Sequence, residues 1–526
     1  MRTTALALLL CLLPSPASAV EELQVELGLF NRFTLRRHQI ERLLRYSVAN
    51  QAFDTAAYQA PGVNEAYYSF LLSAGLYLEP TRWLGLGLQL DSGEVNPTGR
   101  LPEEGSIPLT SGLGSVLGDP PTLTTEDRRL VTASGQPIGD EARSTLFVRQ
   151  AFVRLAAPET AWLEARAGRI ATEAVSSLVY NDFALGGQIT LDLERLRDWP
   201  WRVTARALLP TRAWDTGLRS PLAELRVDYV FTSLLSLVES VGLTFAYFHD
   251  GDSNFGQLFH PYLSEAAVVS QPGLDPALHK DLFGVALATA LPSRGDIFWV
   301  GIDGDKLWGD LMISGTVLLE VGHLSLENPF YPLFSRVPPE RLPRLIPRSE
   351  TIELSTLGVA VDLTLRYPIS ERLELGGFAL YLSGEQNPFL SGDRSLSRYN
   401  SFLGVVPYIT HTNLFFSGGM NQTFSGRQAS TSGVNGRGVV AAGAEVGWEI
   451  TDKARCGSTA AVLVAPVASM TDGHLYGVEL DLEGSYALLE QVKLSLEYDL
   501  LVPGGFFPGS DVIHKLLVGL DLTYEL

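Results

Sequence analysis

Cysteine is nearly absent from this chain: 526 residues carry two, Cys11 and Cys456. Cys11 lies in an N-terminal stretch that reads as removable, so the mature chain keeps one thiol and no internal disulfide can form. A lone thiol of this kind is most simply a small apolar residue in a buried place. Basic charge is also scarce, with 39 Lys and Arg against 59 Asp and Glu and a net charge of −20, which disfavours nucleic acid as a partner. Charged residues make up only 19% of the chain, below the roughly 25% of soluble proteins. Long apolar runs are missing too. After the N-terminal stretch nothing approaches the roughly 20 apolar residues that a spanning helix needs.

The N-terminal stretch, "MRTTALALLLCLLPSPASA", has a cation at Arg2, an apolar run from Ala5 to Leu13 and small residues at Ala17, Ser18 and Ala19. This is the layout of a secretory signal peptide over residues 1–19, leaving 20–526 as one mature domain. Cys11 is followed by more of the apolar run and is not preceded by a small residue, which argues against a lipoprotein.

What the sequence has in abundance is alternation. Leu84, Leu86, Leu88 and Leu90 alternate with Gly85, Gly87 and Gln89; Ile189, Leu191 and Leu193 with Gln188, Thr190, Asp192 and Glu194. Leu225, Val227, Tyr229 and Phe231 stand against Glu224, Arg226 and Asp228. Val359, Val361, Leu363, Leu365 and Tyr367 stand against Asp362, Thr364 and Arg366. Period two over such lengths marks strands, and no long helical period interrupts it.

Connection lengths separate a barrel from a soluble sandwich. Short turns ("EPTR", "AAPETA", "RLRDWPW", "PISER", "TDKA", "LLEQ") alternate with long polar segments at Gln39–Asn64, Ser92–Ser144, Gly251–Lys280 and Leu324–Ser349. Long structureless loops are rare in compact soluble domains. Short turns on one rim and long loops on the other are the habit of outer-membrane β-barrels. Trp83, Trp162, Trp199, Trp201 and Tyr486 stand beside the short turns, where an aromatic girdle meets lipid headgroups. The pattern predicts an all-β, antiparallel transmembrane barrel of about 18 strands, with 16 to 20 compatible. Leu282–Gly322 is the ambiguous stretch, readable as one strand, two, or a strand and a bulged turn. The Ser92–Ser144 loop is long enough to fold inward as a constriction, with a surface loop as the alternative.

The C-terminus, "HKLLVGLDLTYEL", sets Val518, Leu520, Leu522, Tyr524 and Leu526 against Gly519, Asp521, Thr523 and Glu525. Such a strand is expected to close the cylinder by pairing with "EELQVELGLF". Gly519, Leu522, Tyr524 and Leu526 resemble the terminal signal read by the barrel-assembly machinery, with Leu526 in place of the usual Phe or Trp.

One stretch resembles a known family. "YGVELDLEGSYALLEQVKLSLEYDLLVPGGFFPGSD", with Phe506-Phe507-Pro508-Gly509, is similar to the closing hairpin of alginate-export-type outer-membrane porins. Gly168-Arg169 in "EARAGRI" resembles their Gly-Arg strand end. The resemblance covers some tens of residues and implies an 18-stranded channel for a carbohydrate.

The candidate pore-lining residues are the polar members of the alternating strands. In the N-terminal half these are Glu164, Arg166, Asp192, Arg202, Arg206, Glu224, Arg226 and Asp228. Opposite charges on neighbouring strands form either a salt-bridged wall or a mixed-sign selectivity lining. Toward the C-terminus the set turns acidic: Glu479, Asp481, Glu483, Glu497 and Asp499, with Lys493 as the main offset. Asp481 and Asp499 are expected to face water and attract cations. A polyanion would be repelled, so neutral saccharides or cations suit this wall better than alginate, unless Arg166, Arg202, Arg206 and Arg226 form the narrowest point.

No nucleophile motif and no paired histidines accompany His38, His249, His260, His279, His323 and His474, so no catalytic residue is assigned. Asp250, Asp252 and Asn254 in "HDGDSN" have the spacing of a hard-cation loop, but Asp-Gly-Asp is also ordinary turn chemistry. No cofactor motif is present. Expected partners are outer-membrane lipid, lipopolysaccharide, the assembly machinery and small hydrophilic solutes; Arg336, Arg341, Arg344 and Arg348 read first as solvated loop charge, with contact to lipopolysaccharide phosphates as the alternative. The expected function is a porin-like channel for passive diffusion or export; a plugged, surface-binding barrel or a barrel enzyme are the alternatives.

The terminal-strand reading makes a direct prediction. Deleting Thr523–Leu526 should leave the protein in the periplasm, where it is degraded. Fractionation and immunoblotting check this; normal outer-membrane levels of the truncated chain would refute it.

Overall fold

In a computed structural model the protein is described over residues 22–38, 63–91, 147–157, 162–210, 220–230, 240–251, 292–328, 349–386, 398–405, 407–416, 436–468, 473–507 and 511–525, with short pieces between them. The proposed signal peptide, Leu526, Asp252, Asn254, the four loop arginines from 336 to 348 and nearly all of Ser92–Ser144 lie outside the described residues.

Eighteen long strands follow one another round a single antiparallel sheet. They are β1 (Glu22–His38), β2 (Val63–Thr81), β3 (Leu84–Asp91), β4 (Phe147–Ala156), β5 (Leu163–Ala174) and β6 (Tyr180–Asp192). Then come β7 (Trp201–Pro210), β8 (Leu222–Val230), β9 (Ser240–Asp250), β10 (Ser293–Trp308), β11 (Leu311–Glu327) and β12 (Thr351–Ser370). The last six are β13 (Leu373–Leu382), β14 (Val439–Thr451), β15 (Ala454–Val464), β16 (Leu475–Leu489), β17 (Val492–Pro503) and β18 (Ile513–Glu525). Each pairs with its neighbours in sequence, and β18 returns to β1 from Glu26↔Glu525 to Arg37↔His514. Closure leaves no sheet edge, so the backbone groups pair without water. The predicted pairing of the last strand with "EELQVELGLF" is therefore observed.

The ambiguous stretch resolves into two strands, β10 and β11, joined at Gly309-Asp310, where Gly309 adopts φ +62°. A short helix, α1 (Leu193–Arg197), replaces the strand continuation read through Leu193 and Glu194. Asp192 caps that helix, accepting from the Arg195 N–H at 3.2 Å. Gly168-Arg169 lies inside β5 and is no strand end. Gly168 has φ +131°, and a Cβ there would stand 2.2 Å from the Ala151 carbonyl oxygen.

Alternation sorts the side chains as the sequence pattern requires. Outward, Leu27 and Phe33 of β1, Leu357, Leu363 and Leu365 of β12, and Val518, Leu520 and Tyr524 of β18 are exposed. These side chains form an apolar outer surface of the kind that faces lipid. Trp83, Trp199, Trp201, Trp308, Trp448 and Tyr486 are exposed beside the short-turn rim, with Trp201 edge-on to Tyr229 at 4.6 Å. Cys456 is only partly buried and pairs in register with the exposed Trp448, so the fully buried setting expected of it is not found.

Val361 sits mid-strand in β12 on the outward parity, and Thr364 on the inward one. Val361→Arg should therefore destabilise the barrel by about 2–4 kcal/mol if it lies near the membrane midplane, while Thr364→Arg should be tolerated. Denaturant titration of both variants refolded in lipid vesicles measures the difference; equal losses would invert the facing assignment.

Candidate functional site

The lumen wall of β4 to β8 is built from ion pairs. Arg154 bonds Glu79 at 2.7 Å and Glu164 at 3.2 Å, and Arg166 bonds Glu164 at 2.6 Å. Arg202 and Arg195 both reach Asp192 at 3.3 Å. Arg206 pairs with Glu224, and Arg226 bonds Asp228 at 2.7 Å and Asp303 at 2.5 Å. All the predicted N-terminal candidates thus take part in ion pairs, in separate groups within and between neighbouring strands. Such pairs contribute little stability each where water reaches them. Their effect on the lumen is to cancel the field that separate charges would project.

The acidic wall of β16 and β17 is different. Asp481 stands opposite Asp499 and Glu483 opposite Glu497 in register, two like-charged cross-strand pairs of a kind that is destabilising in water. Lys515 of β18 compensates one side, bonding Glu497 at 2.7 Å and Asp499 at 2.8 Å. The other side is covered by a piece of chain. Between β13 and β14, Asn413 donates its N–H to Asp481 at 3.1 Å and its amide to Glu483 and Asp499 at 3.1 and 3.0 Å. The N–H groups of Leu414 and Phe415 donate to the two oxygens of Glu479 at 2.5 and 3.0 Å.

That segment, residues 398–416, is the centre of the site. Tyr399 continues the ladder along the upper part of β12, parallel to Thr356. The Leu403 peptide is clamped from both sides: its N–H donates to Glu320 at 2.6 Å and its carbonyl accepts from the Trp299 indole at 3.1 Å. Tyr408 donates its N–H to the Ser177 carbonyl at 2.7 Å, between β5 and β6. His411 stacks flat on Phe378 at 4.3 Å, and its Nε2 is hydrogen-bonded to the Asp362 carboxylate at 2.8 Å. At the near end Asn400 donates to Glu385; burial pushes the Glu385 carboxyl above its ordinary value, and those hydrogen bonds oppose the shift. The segment is thus held by walls at β5–β6, at β10–β11 and at β16–β17, so it crosses the lumen.

Apolar packing fixes it there. Phe402, Leu403, Ile409, Leu414, Phe415 and Phe416 are 3% exposed or less, and they meet inward-facing Trp299, Leu318, Leu354 and Leu380 in one cluster. Phe506 and Phe507, read as part of the closing-hairpin loop, join it through Tyr476 at 4.5 and 5.9 Å. Trp299, Leu354 and Leu380 lie toward the long-loop ends of their strands and Leu318 at mid-strand, so the inner face there carries apolar side chains as the outer one does.

Several expectations change accordingly. Asp481 is 2% exposed and Asp499 0%, so they do not face open water: the docked segment and Lys515 cover them. Glu479 and Glu497 are equally hidden, while Glu483 and Lys493 remain exposed. Asp250 is fully buried and accepts from the Ser293 hydroxyl and the Phe255 N–H, which is structural bonding. Among the described residues no group of three or more His, Cys, Asp or Glu is placed to hold a metal ion. Gly519, Leu522 and Tyr524 all lie in β18, and Tyr524 is exposed on the outer face of the barrel. The constricting segment itself escaped sequence reasoning. Its one legible signal was a run of aromatic and aliphatic residues, "FLGVVPYITHTNLFF", in a stretch with no strand alternation.

No protein-family model matches the sequence, and no curated protein matches it. Solved structures of similar shape include OccK9 (OpdG) of Pseudomonas aeruginosa, at 14% identity over 96% of this chain and 99% of that one, TM-score 0.46. OpdK of the same organism with vanillate gives 10% identity over 96% and 100%, TM-score 0.47. OccAB1 of Acinetobacter baumannii gives 8% over 98% and 99%, TM-score 0.47. Likeness of this degree conveys nothing about a solute.

Glu479→Ala should strip acceptors from two buried N–H groups, costing about 1–3 kcal/mol for each group left unsatisfied. Hydrogen exchange should then accelerate at Leu414 and Phe415 while the β1–β18 ladder keeps its protection. Unchanged exchange at those two amides would show that the carboxylate does not hold the segment.

Proposed function

We propose that the protein is a porin-like channel of the bacterial outer membrane, through which small hydrophilic solutes pass passively. The observation that carries this reading is residues 398–416 lying across the lumen of a closed 18-stranded barrel with an apolar outer surface. A barrel of this size has more lumen than wall side chains can fill. The docked segment narrows one part of it, and the ion-paired wall of β4 to β8 lines the rest with polar groups.

A wall of paired charges supports weak selectivity between cations and anions, because little net field remains to enrich either. Neutral saccharides are compatible with such a wall, as is the carbohydrate implied by the resemblance to alginate-export-type porins. A polyanion such as alginate still meets a net-negative chain. The apolar cluster around Phe402 and Phe415 supports a second reading, a plugged barrel that works through its outer loops. Outer-membrane lipid and lipopolysaccharide are the surroundings in either case. Gly519, Leu522 and Tyr524 at the strand end, with Leu526 beyond, serve the assembly machinery in this proposal.

Planar-bilayer recording of the purified protein tests the channel. The wild type should conduct with little ion preference. Replacing residues 400–416 by a short Gly-Ser linker should raise single-channel conductance several-fold. A wild type that does not conduct, opened only by that replacement, would establish the plugged reading instead.

A further inference from the structure

Below the docked segment the wall of β12 to β16 opens into a recess of about 210 Å³. Its floor is glycine: Gly376, Gly447 and Gly457 stand at inward positions where neighbouring strands carry long side chains. Its sides are charged with both signs: Arg366 and Arg455 face the same space as Glu374 and Glu445, and Asp481 and Glu483 border it on the far side, where both already accept from Asn413.

Arg366, Arg455, Glu374 and Glu445 differ from the charges elsewhere in the lumen. Arg154, Arg166, Arg202, Arg206 and Arg226 are each ion-paired to a neighbouring carboxylate. Among the described residues, neither Arg366 nor Arg455 has a carboxylate within 4.0 Å, and neither Glu374 nor Glu445 has a cation that close. Opposite charges therefore line one small space without closing on each other. Arg366 and Glu445 are held apart by register: both pair across Gly376, on opposite sides of it.

A simple anion entering the recess would meet the arginines but also the carboxylates, and a simple cation the reverse. A solute carrying both charges completes two charge-assisted pairs at once. We propose that this recess is a subsite for a small zwitterion bearing an ammonium and a carboxylate, of the size of an amino acid or a dipeptide. Its volume lies below the roughly 300–1,000 Å³ of pockets for larger ligands. The guanidinium forks of Arg366 and Arg455 take the carboxylate, Glu374 and Glu445 take the ammonium, and the glycine floor leaves room for the solute backbone. The subsite rests on the channel reading for its use, since it lies on the path of a solute that has passed the docked segment.

The test measures binding separately from conduction. Glycylglycine is titrated by calorimetry into the full-length barrel in detergent, with methyl glucoside as a neutral probe. The wild type should bind the dipeptide and not the sugar. R366Q/R455Q and E374Q/E445Q should each weaken dipeptide binding at least ten-fold, with heat-modifiable gel mobility confirming that both fold. In bilayers, glycylglycine should interrupt the wild-type current and leave the R366Q/R455Q current unchanged. A wild type that conducts but binds no dipeptide, or binds it as well as the variants do, overturns the subsite and leaves the channel standing. Binding lost in the variants of a barrel that never conducts keeps the subsite and overturns the channel.

Discussion

Everything in this protein depends on the ladder between its first and last strands. Eighteen strands side by side would leave two rows of N–H and C=O groups facing hydrocarbon, each group costing several kcal/mol. The pairing of Glu22–His38 with Ile513–Glu525 removes both rows at once. It also fixes the parity of every other strand, since antiparallel neighbours share a face at each register position. From that one closure follow an outside of Leu, Val and Trp and an inside where polar groups must find partners.

The inside solves its problem in two ways. From β4 to β8 arginines and carboxylates neutralise each other across strands. From β16 to β18 the balance is acidic, and like charges face each other at Asp481↔Asp499 and Glu483↔Glu497. That arrangement is sustained by the Lys515 ammonium of β18 and, from outside the wall, by the backbone and amide N–H groups of residues 413–415. The acids that looked like a cation-attracting lining are instead the anchor of the segment that narrows the lumen. Charge and constriction are one feature.

Apolar packing makes the anchor selective for this segment. The Glu479 carboxylate would accept from any N–H, but the cluster of Phe402, Phe415, Trp299 and Tyr476 takes only side chains of matching shape. The same cluster explains why β10 to β13 carry Trp299, Leu318, Leu354 and Leu380 inward, where a water-filled lumen would favour polar residues. Beneath it the lumen returns to charge and glycine.

The sequence by itself determined the class of fold, the outward face and the approximate strand number. A two-residue period reports directly which side of a sheet each residue occupies, as with Val361 against Thr364 and Val518 against Asp521. The turn residues and beside-turn tryptophans likewise located the short-turn rim, because tight turns constrain composition locally. What only the tertiary structure decided is which inward groups meet water. Glu164 and Asp499 look alike along the chain, yet one is bonded to arginines on an open wall and the other is sealed beneath Asn413. That difference arises from a contact between residues 86 positions apart, made by a segment without periodicity. Burial of a lumen carboxylate depends on what folds over it, and period two carries no information about a third layer.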